Sequence, residues 1–209
     1  MATKPTREIS GIEWGVAIKP APGRAVSGDA YLVHVQQDRA LLAVVDGLGL
    51  GSEAVIAANT AVSILRKYAN DTVVSLFNRC HRSLMMSRGA VMTVACLDLN
   101  TLTATWLGVG NVEAILLRAD PAVVPSVERL QLHGGLVGYQ MPILRSRNIL
   151  VRQNDLLVIT SDGIVGDPSA DIPRGEPVQK IADYVLQKHY QGNDDALVLV
   201  ARYVGSAHE

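Results

Sequence analysis

The sequence predicts an α+β fold, antiparallel sheets covered by helices, and three observations lead there. Apolar runs of strand length come in clusters instead of alternating singly with helices, as a doubly wound parallel sheet would require. Three of the runs, Leu41 to Val45, Leu156 to Thr160 and Ala196 to Val200, are nearly continuous in apolar residues and read as buried in a sheet. Other stretches change to helical period, and these lie between the clusters.

Trp14 to Ile18, Tyr31 to Val35 and Leu41 to Val45 are the first strands, and Pro20, Pro22 and Gly23 break the connection after the first. From Ser52, Ala54, Ala57, Ala58, Ala61, Val62 and Leu65 fall on one face of a helix, with Ser52 as its N-cap. A second helix starts at Asp71 and turns Val73, Phe77, Cys80 and Leu84 inward. Val91 to Leu99 and Leu102 to Val109 form a hairpin about Asn100-Thr101, and Val112 to Leu117 and Val127 to Leu132 extend that sheet. After the strand at Leu156, a helix from Val178 to His189 and a strand from Leu197 to Tyr203 complete the pattern.

The 209 residues, 48% hydrophobic and 19% charged, can bury a sizeable core, and no composition shift or repeat divides them, so one domain over 1–209 is expected. A net charge of −1 without a Lys/Arg run argues against nucleic-acid binding. The apolar stretches are too short to span a membrane, and Met1 to Ser10 lacks the apolar core of a signal peptide, so a cytoplasmic location is expected. Cys80 and Cys96 show neither metal-ligand spacing nor a disulfide framework and read as buried thiols.

Carboxylates mark the ends of the buried runs. Val44-Val45-Asp46-Gly47 and Thr160-Ser161-Asp162-Gly163 each place Asp-Gly after a strand, and Asp194-Asp195 opens the last one. Asp-Gly is also the commonest turn dipeptide. Two such pairs after buried strands, with an acidic pair besides, point instead to hard oxygen ligands gathered at one end of a core for Mg or Mn, and so to phosphoester hydrolysis. Gly49, Gly51 and Ala54 also fit the dinucleotide fingerprint G-x-G-x-x-A, but two helical stretches follow before any strand, which a βαβ unit does not allow.

At these residues the chain resembles the metal-dependent PPM, or type 2C, protein serine/threonine phosphatases. Ser27-Gly28-Asp29-Ala30-Tyr31, Val44-Val45-Asp46-Gly47, Ser161-Asp162-Gly163 and Asn193-Asp194-Asp195-Ala196 stand in the family's order and span most of the chain. Val109 to Ala114 and Gly134 to Pro142 carry a narrower likeness to the small bacterial branch of sporulation, sigma-factor-pathway and stressosome feedback phosphatases. The resemblance implies a four-layer α-β-β-α sandwich, two antiparallel sheets flanked by helices. It further implies two Mn2+ or Mg2+ ions, and hydrolysis of phosphoserine or phosphothreonine by metal-activated water with no covalent enzyme intermediate. The implied substrates are phosphorylated STAS-domain proteins of a stressosome-like signalling pathway, on which a chain without sensory or receiver segments would act alone.

Residue by residue, the resemblance makes Asp46 the carboxylate that bridges two ions and Gly47 a carbonyl ligand. Asp162 and one of the acidic pair would hold the second ion; Asp194 is the choice because the family's ligand precedes a polar residue and then the strand, with Asp195 as the alternative. Asp29 corresponds to the aspartate that holds metal-bound water. Arg24 corresponds to the phosphate-binding arginine, and guanidinium geometry suits that task, although a plain surface arginine reads the same way.

Two departures stand out. Asn111 replaces an aspartate that helps to hold a third metal in multi-ion members, and Arg88 to Thr93 keeps only part of the family's Gly-Ser/Thr-Thr strand start. They motivate an alternative reading, a catalytically inactive PPM-fold scaffold that binds phosphoproteins. His34, His81, His133 and His189 read as structural, and Ser27, Ser161 and Cys96 have no evident base partner. Leu136, Val137, Tyr139, Met141, Ile143 and Leu144, punctuated by glycines, form an apolar segment expected to lie beside the metals and grip the protein substrate.

Overall fold

Strands that are apolar on every residue need cover on both faces, and a computed structural model shows how this chain supplies it. The structure describes residues 7–9, 11–49 and 51–205. Most of the Met1 to Ser10 segment therefore lies outside the described residues, as does Leu50 within the glycine-rich turn. The elements are β1 (Arg7–Ile9), β2 (Ile12–Lys19), β3 (Asp29–Gln36), β4 (Arg39–Gly47), α1 (Ser52–Lys67), α2 (Val73–Leu84), β5 (Ala90–Asp98), β6 (Thr103–Val109), β7 (Glu113–Leu117), β8 (Val127–Arg129), β9 (Arg147–Leu150), β10 (Leu156–Thr160), α3 (Val178–His189) and β11 (Ala196–Tyr203).

Two antiparallel sheets result, ordered β1-β2-β11-β10-β7-β8 and β3-β4-β5-β6-β9. Helices α1 and α2 pack on the second sheet and α3 on the first, giving the four layers implied by the resemblance. Alternation along each strand divides the core. On β4, Ala40, Leu42 and Val44 face the gap between the sheets, whereas Leu41, Ala43 and Val45 face α1 and α2. On β11, Leu197, Leu199 and Ala201 face the gap, and Val198 and Val200 face α3. The inter-sheet layer has Trp106 fully buried in it, and the layer beneath α1 and α2 is as extensive. No helix among the described residues is long and apolar enough to cross a membrane.

Several local expectations need correction. Val112 to Leu117 does not extend the β5–β6 sheet: β7 pairs with β10 across the gap, and β8 follows it there. The short connection Gly110 to Val112 switches sheets, and Thr93 Oγ1 on β5 ties it down by donating to the Val112 carbonyl at 2.6 Å. Gly51, with φ of 57°, stands at the start of α1, so Ser52 is its first helical residue and not its cap. Helix α2 begins one residue after Thr72, whose hydroxyl accepts from Ser75 N–H; Asp71 instead holds Arg79 at 2.6 Å. β1 and the edge strand β9 were not anticipated.

Candidate active site

The parity that fills the gap between the sheets also places the acidic residues at one end of it. Asp46 follows Ala40, Leu42 and Val44 in the alternation, and Asp29 precedes Tyr31 and Val33 in the same way. The two are directly opposed across the β3–β4 ladder. From the other sheet, Ser161 follows Leu157 and Ile159 on the gap side and donates to Asp29 Oδ2 at 2.6 Å; its oxygen also accepts from Leu197 N–H at 2.8 Å. Asp162 and Asp194 lie just beyond β10 and before β11, outside the regular ladder. Asp29 and Asp195 are buried, Asp46 is half-buried, and Asp162 and Asp194 are exposed, so the group runs from an enclosed base to an open mouth.

Close backbone approach makes this arrangement possible at two glycines. A side chain on Gly47 would put its Cβ 2.0 Å from the Ala54 carbonyl oxygen in α1, and one on Gly163 would lie 2.1 Å from the Asp195 carbonyl oxygen. The Asp-Gly pairs are thus strand ends pressed against another element, which a free turn does not require.

Asp195 has a role that sequence reasoning missed. Its Oδ1 accepts from Ala21 N–H at 2.7 Å, and its Oδ2 accepts from Gly28 N–H at 2.7 Å and from an Arg24 guanidinium nitrogen at 3.2 Å. One buried carboxylate therefore ties both ends of the 21–28 loop and its arginine. No local pattern could have revealed this, because the partners lie more than 160 residues away. Asp194 is left facing the mouth, with one oxygen accepting only from Asp195 N–H. Among the described residues, Arg24 is the only cation paired with any of these five aspartates. Arg24 is consequently anchored to Asp195 through one guanidinium nitrogen.

Crowded carboxylates shift one another. Asp46 is pushed up to about 8, mainly by burial and then by the charges of Asp29, Asp162, Asp194 and Asp195. Burial raises Asp29 to about 7 despite the opposing hydrogen bond from Ser161, with Asp195, Asp162 and Asp194 adding repulsion. Asp162 is raised by burial and Asp194, against the amide of Asn111, which donates to Asp162 Oδ2 at 2.8 Å. These carboxylates act on one another, yet among the described residues no three His, Cys, Asp or Glu side chains form a ready-made cation cage. The donor set still suits a hard divalent cation, which takes one or two carboxylates and keeps several waters. It offers oxygen ligands, excess negative charge, and a single fixed cation in partial compensation.

The other candidates lie elsewhere. His81 Nδ1 accepts from Gly138 N–H, His133 contacts the Gly108 carbonyl, and His189 sits between the Val165 carbonyl and Asp171. Burial pushes the Cys80 thiol up to about 12 and also raises Cys96, so neither supplies a thiolate. The 133–144 segment borders the site at two points: the His133 carbonyl accepts from Gly110 N–H beside Asn111, and Val137 exchanges both backbone hydrogen bonds with Ala90, the residue opposite Gly47 in the β4–β5 ladder. Val137 is fully buried, and Leu136, Met141 and Leu144 pack partly against the core; Tyr139 and Ile143 are each 81% exposed.

Comparison with known proteins adds four findings. The family model described as stage II sporulation protein E (SpoIIE) matches residues 36–204. The chain is 24% identical over 181 residues to phosphoserine phosphatase RsbX of Bacillus subtilis (strain 168), covering 86% of this chain and 89% of that protein. Among solved structures, a chain from "The bacterial stressosome: a modular system that has been adapted to control secondary messenger signaling" superposes with a TM-score of 0.83 at 29% identity, over 91% of this chain and 99% of the other. RsbX in complex with magnesium superposes with a TM-score of 0.84 at 20% identity, over 95% of this chain and 98% of the other, and so shares the fold.

Proposed function

The chain belongs to the stage II sporulation protein E family, a group of PPM-type phosphatase domains, and from that premise we propose a specific activity for it. It is a protein serine/threonine phosphatase that removes phosphate from STAS-domain partners of a stressosome-like signalling pathway in the cytoplasm. The supporting observation is the gathering of Asp29, Asp46, Asp162, Asp194 and Asp195 from four separate segments to one end of the inter-sheet gap, with Asp29 and Asp46 raised to about 7 and about 8. Such mutual repulsion is tolerated in a fold when bound cations relieve it. RsbX, with which the chain shares most of its length, is named for phosphoserine hydrolysis and has been solved with magnesium.

Asp46, the Gly47 carbonyl, Asp162 and Asp194 would hold two Mn2+ or Mg2+ ions, which activate water and neutralise phosphoryl charge when bound. The chain's own residues do the rest. Asp46, half-buried between the enclosed base and the open mouth, would contribute to holding both ions. Asp29, oriented by Ser161 at one oxygen, would hold water with the other at the base of the site. Arg24, held at one guanidinium nitrogen by Asp195, keeps its remaining N–H groups for phosphate oxygens. Asn111 fixes Asp162 through one oxygen and leaves the other toward the mouth. The Ser161 hydroxyl is already engaged and the cysteines are buried thiols, which supports water as the attacking group.

Manganese-dependent hydrolysis of p-nitrophenyl phosphate, reversed by a chelator, tests the activity. Phosphate release from a phosphorylated STAS-domain protein purified from the same cells tests the substrate. Binding of that phosphoprotein with no release from either substrate would favour the inactive scaffold.

A further inference from the structure

The helix that closes one side of the site carries an apolar residue with no cover. Along α1 the inward face is Ala54, Ala57, Ala58, Ala61 and Leu65, yet Ile56, off that face, is 62% exposed. Facing it is the loop tied down by Asp195, where Val26 is 60% exposed. Ile56, Val26 and the half-buried Val55 line an open, mainly apolar cleft of about 400 Å³ with Arg24 at its edge. The cleft is continuous with the candidate site through Arg24: the arginine is bonded to Asp195 Oδ2, which also holds Gly28, the residue before Asp29.

We infer that this cleft seats an apolar side chain of the phosphoprotein substrate, close in sequence to its phosphorylated residue, while Arg24 meets the phosphate. The inference rests on the phosphatase reading given above and adds to it a recognition element for the residues flanking the phosphosite. Charge complementarity and continuity select this occupant. With the divalent cations of that reading in the carboxylate cluster, a basic group stands between an apolar hollow and a cationic centre, so a ligand filling both carries an apolar side chain next to a dianionic group. An extended peptide with leucine or isoleucine within a few residues of phosphoserine has that form. The loop that supplies Val26 is fixed at both ends, so the hollow is formed before the ligand arrives and little ordering opposes binding.

The test uses phosphoserine peptides in an alanine-serine background with one leucine placed at successive positions on either side of the phosphoserine. Binding is measured by calorimetry with Mn2+, alongside turnover of the same peptides and of p-nitrophenyl phosphate. Burial of a leucine side chain should strengthen binding about tenfold at one or two positions. Ile56→Ser should erase that preference, with p-nitrophenyl phosphate turnover and melting temperature unchanged. Equal affinity for all peptides, or a preference that survives both Ile56→Ser and Val26→Ser, overturns the proposal. A wild-type dimer that Ile56→Ser converts to monomer in sedimentation, with no leucine preference, also overturns it, because the cleft would then be a self-association surface. Leucine-dependent binding without turnover of any substrate would support the docking cleft and sink the phosphatase reading instead.

Discussion

Ser161 Oγ donates to Asp29 Oδ2 at 2.6 Å, and this bond joins the two sheets at the end where the carboxylates meet. The same oxygen accepts from Leu197 N–H at 2.8 Å, so a residue only 1% exposed serves one element of each sheet.

Ser161→Ala leaves the buried Leu197 N–H without its partner and frees Asp29 from the bond that opposes its upward shift. Unfolding by urea should show a loss of about 1–3 kcal/mol. Asp29 should titrate higher still, which NMR of the metal-free variant would read. An unchanged unfolding midpoint would remove Ser161 from this role.

Stability of the metal-free protein should fall as pH rises. Folding raises Asp46 to about 8 and Asp29 to about 7 from an ordinary value of 3.8, so between those limits the native state binds more protons than the unfolded chain. The contribution is therefore least unfavourable below about pH 4 and is lost progressively as pH climbs through about 7 to 8. Melting curves in chelator should show a lower midpoint at pH 8 than at pH 6, and Asp46→Asn should flatten the difference. A midpoint that rises with pH over this range in both proteins contradicts the account.

Asp194 and Asp195 should fail in different ways. Asp194→Ala removes an exposed carboxylate whose one fixed contact is its neighbour's N–H, so activity should drop by orders of magnitude (~10²-fold or more) with the melting temperature retained. Asp195→Ala strands two buried N–H groups and releases Arg24, and should lower stability by about 2 kcal/mol or more. Kinetics and calorimetry on both variants give the comparison. Loss of metal affinity in Asp195→Ala alone, with its stability intact, would reverse the assignment.

Tyr139, exposed at 81%, should contribute nothing to stability. Tyr139→Ala is expected to keep its melting temperature and its aryl phosphate turnover while slowing release from a phosphoprotein. Equal turnover of both substrates relative to wild type would take the 133–144 segment out of substrate contact.

The covered sheets were legible because Leu41 to Val45 and Ala196 to Val200 are apolar on both parities, which only a strand covered on both faces explains, whereas the four-layer order came from the family resemblance. Sheet membership was less legible. Val112 follows the β5–β6 hairpin so closely that continued pairing was the simpler expectation, and only the Thr93 bond and the Leu116–Leu157 register show the crossing. Edge strand β9 was hidden because Ile149 is its single buried residue. At the site, the Asp-Gly pairs after buried runs pointed to Asp46 and Asp162 and the family resemblance added Asp29, but the division of labour between Asp194 and Asp195 depended on Ala21 and Gly28, which no local pattern connects to them.

Asp46 is the residue on which the whole site reading depends, since it opposes Asp29 in the ladder and feels every other carboxylate of the cluster. The most direct measurement is Mn2+ calorimetry combined with p-nitrophenyl phosphate turnover for wild type and Asp46→Asn. The mutant should stay folded, bind Mn2+ at least about tenfold more weakly and lose turnover. Equal Mn2+ affinity with retained turnover would place the metal chemistry elsewhere and contradict the account.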